Sequence, residues 1–108
     1  MTAFDLLLLL TVHFVADFVL QSDWMAQNKS KRVDALFLHA AVYSGCFLFY
    51  GPAFVALTFL LHFTQDAITS RLNSWLNPRS RHYFFVGIGA DQLLHAWLLA
   101  YTFEWVAR

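Results

Sequence analysis

Four long apolar runs dominate the chain: residues 4–20, 33–50, 52–72 and 83–106. Each approaches the roughly 20 mostly apolar residues that a helix needs to cross the hydrocarbon of a bilayer. None has the charged outer face of an amphipathic surface helix. Charged residues make up only 13% of the 108, against about 25% in a soluble domain. So few charges could hardly clothe a bundle in a water-facing surface. The expectation is an all-α integral membrane protein: one domain over 1–108, with four transmembrane helices in a compact bundle. The competing reading is the buried helical core of a soluble protein.

The linkers orient the spans. A polar stretch, Gln21 to Arg32, follows the first run, and a second, Asn73 to Arg81, follows the third. Gly51-Pro52 reads as a tight turn with Pro opening the next helix. Lys29, Lys31 and Arg32 lie in the first linker, and Arg71, Arg79 and Arg81 lie around the second; only Arg108 is elsewhere. In a four-span chain those two linkers share one side. The positive-inside rule then predicts an inner-membrane protein with both basic linkers cytoplasmic and both termini periplasmic. Trp24 and Trp75 fall at the inner interface, and Tyr50, Tyr101 and Trp105 near the outer one. Met1 to Leu10 lacks the basic start and the cleavage site of a signal peptide and reads as part of the first span. A net charge of zero gives no reason to expect nucleic-acid binding. Cys46, the single cysteine, cannot make an internal disulfide.

Ionisable groups at membrane depth are costly and are functional candidates by default. Span one carries His13 and Asp17, span two His39, span three His62 and Asp66, and span four Asp91 and His95. His13/Asp17, His62/Asp66 and Asp91/His95 are i,i+4 pairs, each on one helix face. That spacing presents two ligands to one metal, or a ligand and the carboxylate that orients it. Counted from the cytoplasmic ends at about 1.5 Å per residue, the seven groups fall at overlapping depths of roughly 8–15 Å or slightly more. Gln21, Gln65 and Gln92 lie close by. Gly87 and Gly89 are expected to permit close helix packing.

A short internal repeat accompanies the polar groups. His13-Phe14-Val15-Ala16-Asp17 matches His62-Phe63-Thr64-Gln65-Asp66, and Leu38-His39-Ala40 matches Leu94-His95-Ala96. The pattern predicts a parallel duplication of a helical hairpin, with a site for one or two metals shared between the halves. His13, His39, His62 and His95 are the expected main ligands. Asp17, Asp66 and Asp91 are expected as ligands, orienting groups or the general base. Mixed N/O ligation suits Zn²⁺, Mn²⁺ or Fe²⁺. No Lys or Arg falls at the depth of these groups, Arg71 lying at the very end of the third run, so the histidines are the expected partners of the carboxylates, and the basic linker residues read as topology determinants. A metal-free His–Asp hydrogen-bonded network is the bland alternative.

The ordered set His13-xxx-Asp17-Phe18-x-Leu20-Gln21, Met25-Ala26, Lys29, His39, His62-xxx-Asp66 and Asp91-Gln92-xx-His95 resembles a bacterial and phage membrane family, domain of unknown function 3307, over nearly the whole chain. The resemblance implies a Lys three residues after the third-span Asp; here Thr69 stands there, with Arg71 nearby. There is a looser likeness to inner-membrane metal-dependent hydrolases, which also place His and Asp on membrane helices. The leading expectation is metal-dependent hydrolysis of a lipid-linked substrate, since a site about 10 Å below the interface is poorly reached by soluble molecules. The alternatives are a metal-ion or proton transport subunit, which four short helices would favour as a homo-oligomer, an electron-transfer bundle with His-ligated haem, and a structural membrane subunit locked by the polar groups.

Overall fold

A computed structural model describes residues 1–107; Arg108 lies outside the described residues. Among these the chain is all helical, with five α-helices. Helix α1 is Ala3–Phe14, α2 is Asp23–Asn28, α3 is Val33–Gly45, α4 is Pro52–Leu76 and α5 is Arg81–Thr102. α1 continues into a π-helical turn, Val15–Val19, closed by the Leu20 amide on the Val15 carbonyl. α5 continues similarly through Phe103–Ala107.

The boundaries follow local chemistry. Thr2 caps α1: its hydroxyl accepts from the Asp5 amide, and the Asp5 carboxylate accepts from the Thr2 amide. This reciprocal pair satisfies donors that the first turn would leave unpaired. Ser22 and Ser80 cap α2 and α5 through their hydroxyls. Gly51 sits at φ 102°, a conformation other residues rarely adopt. Pro52 then opens α4, where its missing amide proton is no loss.

The expected runs shift in detail. α3 ends at Gly45, and the rest of the 33–50 run becomes a turn and a short 3₁₀ segment, Leu48–Tyr50. α4 runs past residue 72 to Leu76, because Asn73, Ser74 and Trp75 are tolerated in a helix end. The first linker contains α2, which polarity alone did not suggest. Among the described residues one helix, α5 with its extension over Arg81–Ala107, is long and apolar enough to cross a membrane.

α4 is the central helix, packing against α3 on one side and α5 on the other. The aromatic core at one end joins Leu9, Tyr43, Phe47, Phe54, Leu99 and Phe103. Burial is divided evenly: among the described residues eleven apolar and eleven polar side chains are buried. Phe4, Leu7, Val33, Ile68, Trp97 and Trp105 are instead exposed. Gly87 lets α5 approach α4, since a Cβ there would collide with the Asn73 side-chain oxygen. Gly89 faces open space, so close packing explains only one of the pair.

Candidate metal centre

The bundle brings side chains from α1's π turn, α3, α4 and α5 to one buried point. Asp17 lies within the π turn, and wide turns of this kind recur at functional sites. His39 comes from α3, His62 and Asp66 from consecutive turns of α4, and Asp91 and His95 from consecutive turns of α5.

His39 Nε2 is the hub. It lies 2.9 Å from Asp17 Oδ1, 3.2 Å from Asp66 Oδ2 and 3.0 Å from His62 Nε2. His62 Nε2 lies 3.4 Å from Asp66 Oδ2 and 3.9 Å from Asp17 Oδ1. These four ligand atoms lie within 4.8 Å of one another. Four ligands around one ion at about 2.0–2.1 Å would be separated by roughly 3.3–3.4 Å in a tetrahedron. The five distances scatter around that edge length. His39 and His62 are 0% and 2% exposed.

Asp66 reaches a second group through its other oxygen. Oδ1 lies 3.5 Å from His95 Nε2, which lies 3.3 Å from Asp91 Oδ2. The far oxygen of Asp91 is fixed by Thr69 Oγ1 at 2.6 Å and Gln65 Nε2 at 2.9 Å. Asp66, Asp91 and His95 form a second set of convergent ligand atoms.

Hydrogen bonding leaves the centre short of donors. Asp17 Oδ1 and His95 Nε2 are buried without a hydrogen-bond partner, despite their short contacts. Three carboxylates converge here, and one fixed cation meets them: Lys29, whose ammonium lies 3.0 Å from Asp66 Oδ2. This corrects the expectation that histidines alone answer the carboxylates. Lys29 sits just past α2, and its long stem carries the charge inward.

His13 stands beside the centre. Its Nδ1 meets the Tyr43 hydroxyl at 2.7 Å, its Nε2 meets Gln92 Oε1 at 2.7 Å, and Asp17 Oδ2 is 4.0 Å away. It belongs to neither convergent set among the described residues. Gln92 Nε2 in turn donates to Asp17 and Asp91 at 3.3 Å. Thus Gln65 and Gln92 hold the carboxylates, while Gln21 keeps a buried oxygen without a partner. Sequence reasoning missed Tyr43, whose ring stacks on His62 at 3.7 Å and 12°. The available signal was its position one turn after His39. It also missed Thr69, which stands where the resemblance implies a Lys and instead orients Asp91.

An all-helical bundle with a buried His/Asp centre defines the class. The family model described as "Protein of unknown function (DUF3307)" matches residues 6–107, and the chain belongs to that family. No curated protein and no solved structure matches it.

Proposed function

We propose that the chain is a four-span inner-membrane protein whose His/Asp centre binds a divalent metal and hydrolyses a lipid-linked substrate. The membrane reading is supported by the inverted distribution of polarity, with carboxylates and imidazoles inside and Phe, Leu and Trp outside. Exposed apolar area on this scale is a liability in water and ordinary against lipid. Arg32 lies over Trp24 and Arg79 over Trp75, as expected where Trp anchors meet basic linkers at one interface. The Met1 ammonium lies 3.1 Å from Glu104, so α1 begins where α5 ends, in keeping with an even number of crossings. α3 has 13 residues, about 20 Å, and would need the following turn or a locally thinned bilayer to complete its crossing.

The observation that carries the metal reading is charge and donor balance. Asp17, Asp66 and Asp91 bring three negative charges into a buried point, Lys29 returns one, and two charges remain. Buried charge without compensation is strongly destabilising; one divalent cation supplies what is missing, at ligand spacings that suit it. His39, His62, Asp17 and Asp66 would hold it. Such an ion lowers the pKa of bound water and polarises a phosphoryl or carbonyl oxygen. Lys29 would neutralise part of the charge of an anionic headgroup arriving from the basic end. The Lys29–Asp66 pair also favours a rival reading, a metal-free polar network that only locks the helices.

Elemental analysis of the detergent-purified protein beside a His62→Gln variant separates these readings. Bound Zn, Mn or Fe in the parent, lost in a variant of unchanged helicity, is the expected result, followed by hydrolysis of lipid phosphates or lipid esters. A parent that takes up no metal after supplementation would refute the hydrolase and leave the network.

A further inference from the structure

We propose that the centre holds two divalent ions, with the Asp66 carboxylate between them; this rests on the metal-hydrolase reading above. The two oxygens of Asp66 serve different partners. Oδ2 meets His39 and His62, whereas Oδ1 meets His95. A carboxylate arranged like this bridges two metals in dinuclear hydrolytic sites, whose ions stand about 3.5–4 Å apart.

The ligand sets differ in a way that assigns the ions different work. The first set, Asp17, His39, His62 and Asp66, offers four protein ligands, the number that closes a tetrahedral site. Water would enter such a site only as a fifth ligand, as the single-ion reading requires. The second set, Asp66, Asp91 and His95, offers three, which leaves a position for water or substrate. The second ion is therefore the one that carries the nucleophile, and the first holds the shared carboxylate in place.

His95 provides independent support for the second position. Its ring is 2% exposed, and its Nε2 faces Asp66 and Asp91 without a hydrogen-bond partner. Asp91 cannot turn away, because Thr69 and Gln65 hold its other oxygen. A narrow cleft between α4 and α5, lined by Thr58, Leu61, Leu98 and Thr102, reaches the same His62–His95 pair. Charge then points to the substrate. Lys29 and the first ion already balance the three carboxylates, so the second ion adds two charges that a bound anion must answer. The surplus of two matches a phosphate ester better than a neutral carboxylic ester, so the expected substrate class is a lipid phosphate.

The test is titration of the metal-stripped protein with Mn²⁺, reading bound equivalents and the electron paramagnetic resonance spectrum. Two equivalents with an exchange-coupled signal are expected. His95→Gln and, independently, Asp91→Asn should each fall to one equivalent with an uncoupled signal. One equivalent in the parent, or an uncoupled signal at two, overturns the second ion and leaves the single-metal reading standing. Zero equivalents removes both. Two coupled equivalents retained in both variants overturns the assignment of the second position. The parent spectrum needs no variant to fold.

Discussion

Replacing Asp17 by Asn separates a metal centre from a structural network, because the two give opposite thermal signatures. The ligand oxygens of Asp17 and Asp66 lie within 4.8 Å. Two like charges at that separation repel by about 3–4 kcal/mol at an effective dielectric of 20. Asn removes this repulsion and also weakens the bond that Gln92 Nε2 donates to the Asp17 carboxylate at 3.3 Å, costing about 1.5–3 kcal/mol for a bond to a charged group. The opposing effects nearly cancel, so the metal-free variant should melt within a few degrees of the metal-free parent. Metal changes the comparison. At a free concentration 100 times Kd, binding stabilises the parent by about 2.7 kcal/mol, a rise of about 10–20 °C for a domain of this size. In Asp17→Asn that rise should largely vanish. The assay is thermal unfolding in detergent with chelator and with added Zn²⁺ or Mn²⁺. A parent indifferent to metal, together with a variant destabilised by more than about 3 kcal/mol, would refute the charge argument.

Tyr43→Phe keeps the stack on His62 but strips the hydroxyl from His13, so unfolding should show a loss of about 1–3 kcal/mol with metal content unchanged. Gly87→Ala must push the Asn73 side-chain amide aside, which offsets the gain of about 1 kcal/mol that Ala has over Gly in a helix, so it should be near neutral. Gly89→Ala, facing open space, should be neutral or stabilising by up to about 1 kcal/mol; paired melting curves check the contrast. For topology, Cys introduced at Ser30 and Ser80 in a Cys46→Ala background should react with an impermeant thiol reagent from the cytoplasmic side, and Cys at Gly51 from the opposite side. Labelling of Ser30 and Ser80 positions from different sides would refute the four-span arrangement.

Much of this centre is written in the sequence as spacing. The pairs His62/Asp66 and Asp91/His95 are fixed by helical geometry alone, and each arrives at the centre on one face of a regular helix. His39 has no carboxylate one turn away on its own helix, and the packing of α3 on α4 brings it to the centre. Three features were not legible. Lys29 lies in a linker whose basic residues read, from sequence, as topology signals, and only the path of α2 shows that its stem reaches Asp66. Tyr43 and Thr69 act through hydroxyls, a chemistry too common in helices to be singled out by type. The early end of α3 at Gly45 was also hidden, because residues 46–50 are as apolar as a helix interior while the backbone turns there toward Gly51.

The role of His13 shows where a repeat misleads. His13 and His62 open the same five-residue pattern, and each has an Asp one turn later, so equal roles follow from spacing. The backbones then diverge. α4 runs as regular helix through His62 and Asp66, which keeps both on the hub, with His62 3.0 Å from His39. In the first copy the chain widens into a π turn immediately after Phe14, and His13 Nε2 stands 4.0 Å from Asp17 Oδ2 where His62 Nε2 stands 3.4 Å from Asp66 Oδ2. Asp17 still reaches His39, but His13 is left one layer out, held by Tyr43 and Gln92. It therefore acts on the centre through Gln92, which touches both Asp17 and Asp91, and through the Tyr43 ring stacked on His62. An imidazole so placed can orient ligands without being one, as the groups behind metal ligands commonly do. Such partners typically matter about 10–100-fold in metal affinity. His13→Gln should accordingly weaken binding by that order while leaving the stoichiometry intact, whereas His62→Gln should remove an equivalent outright.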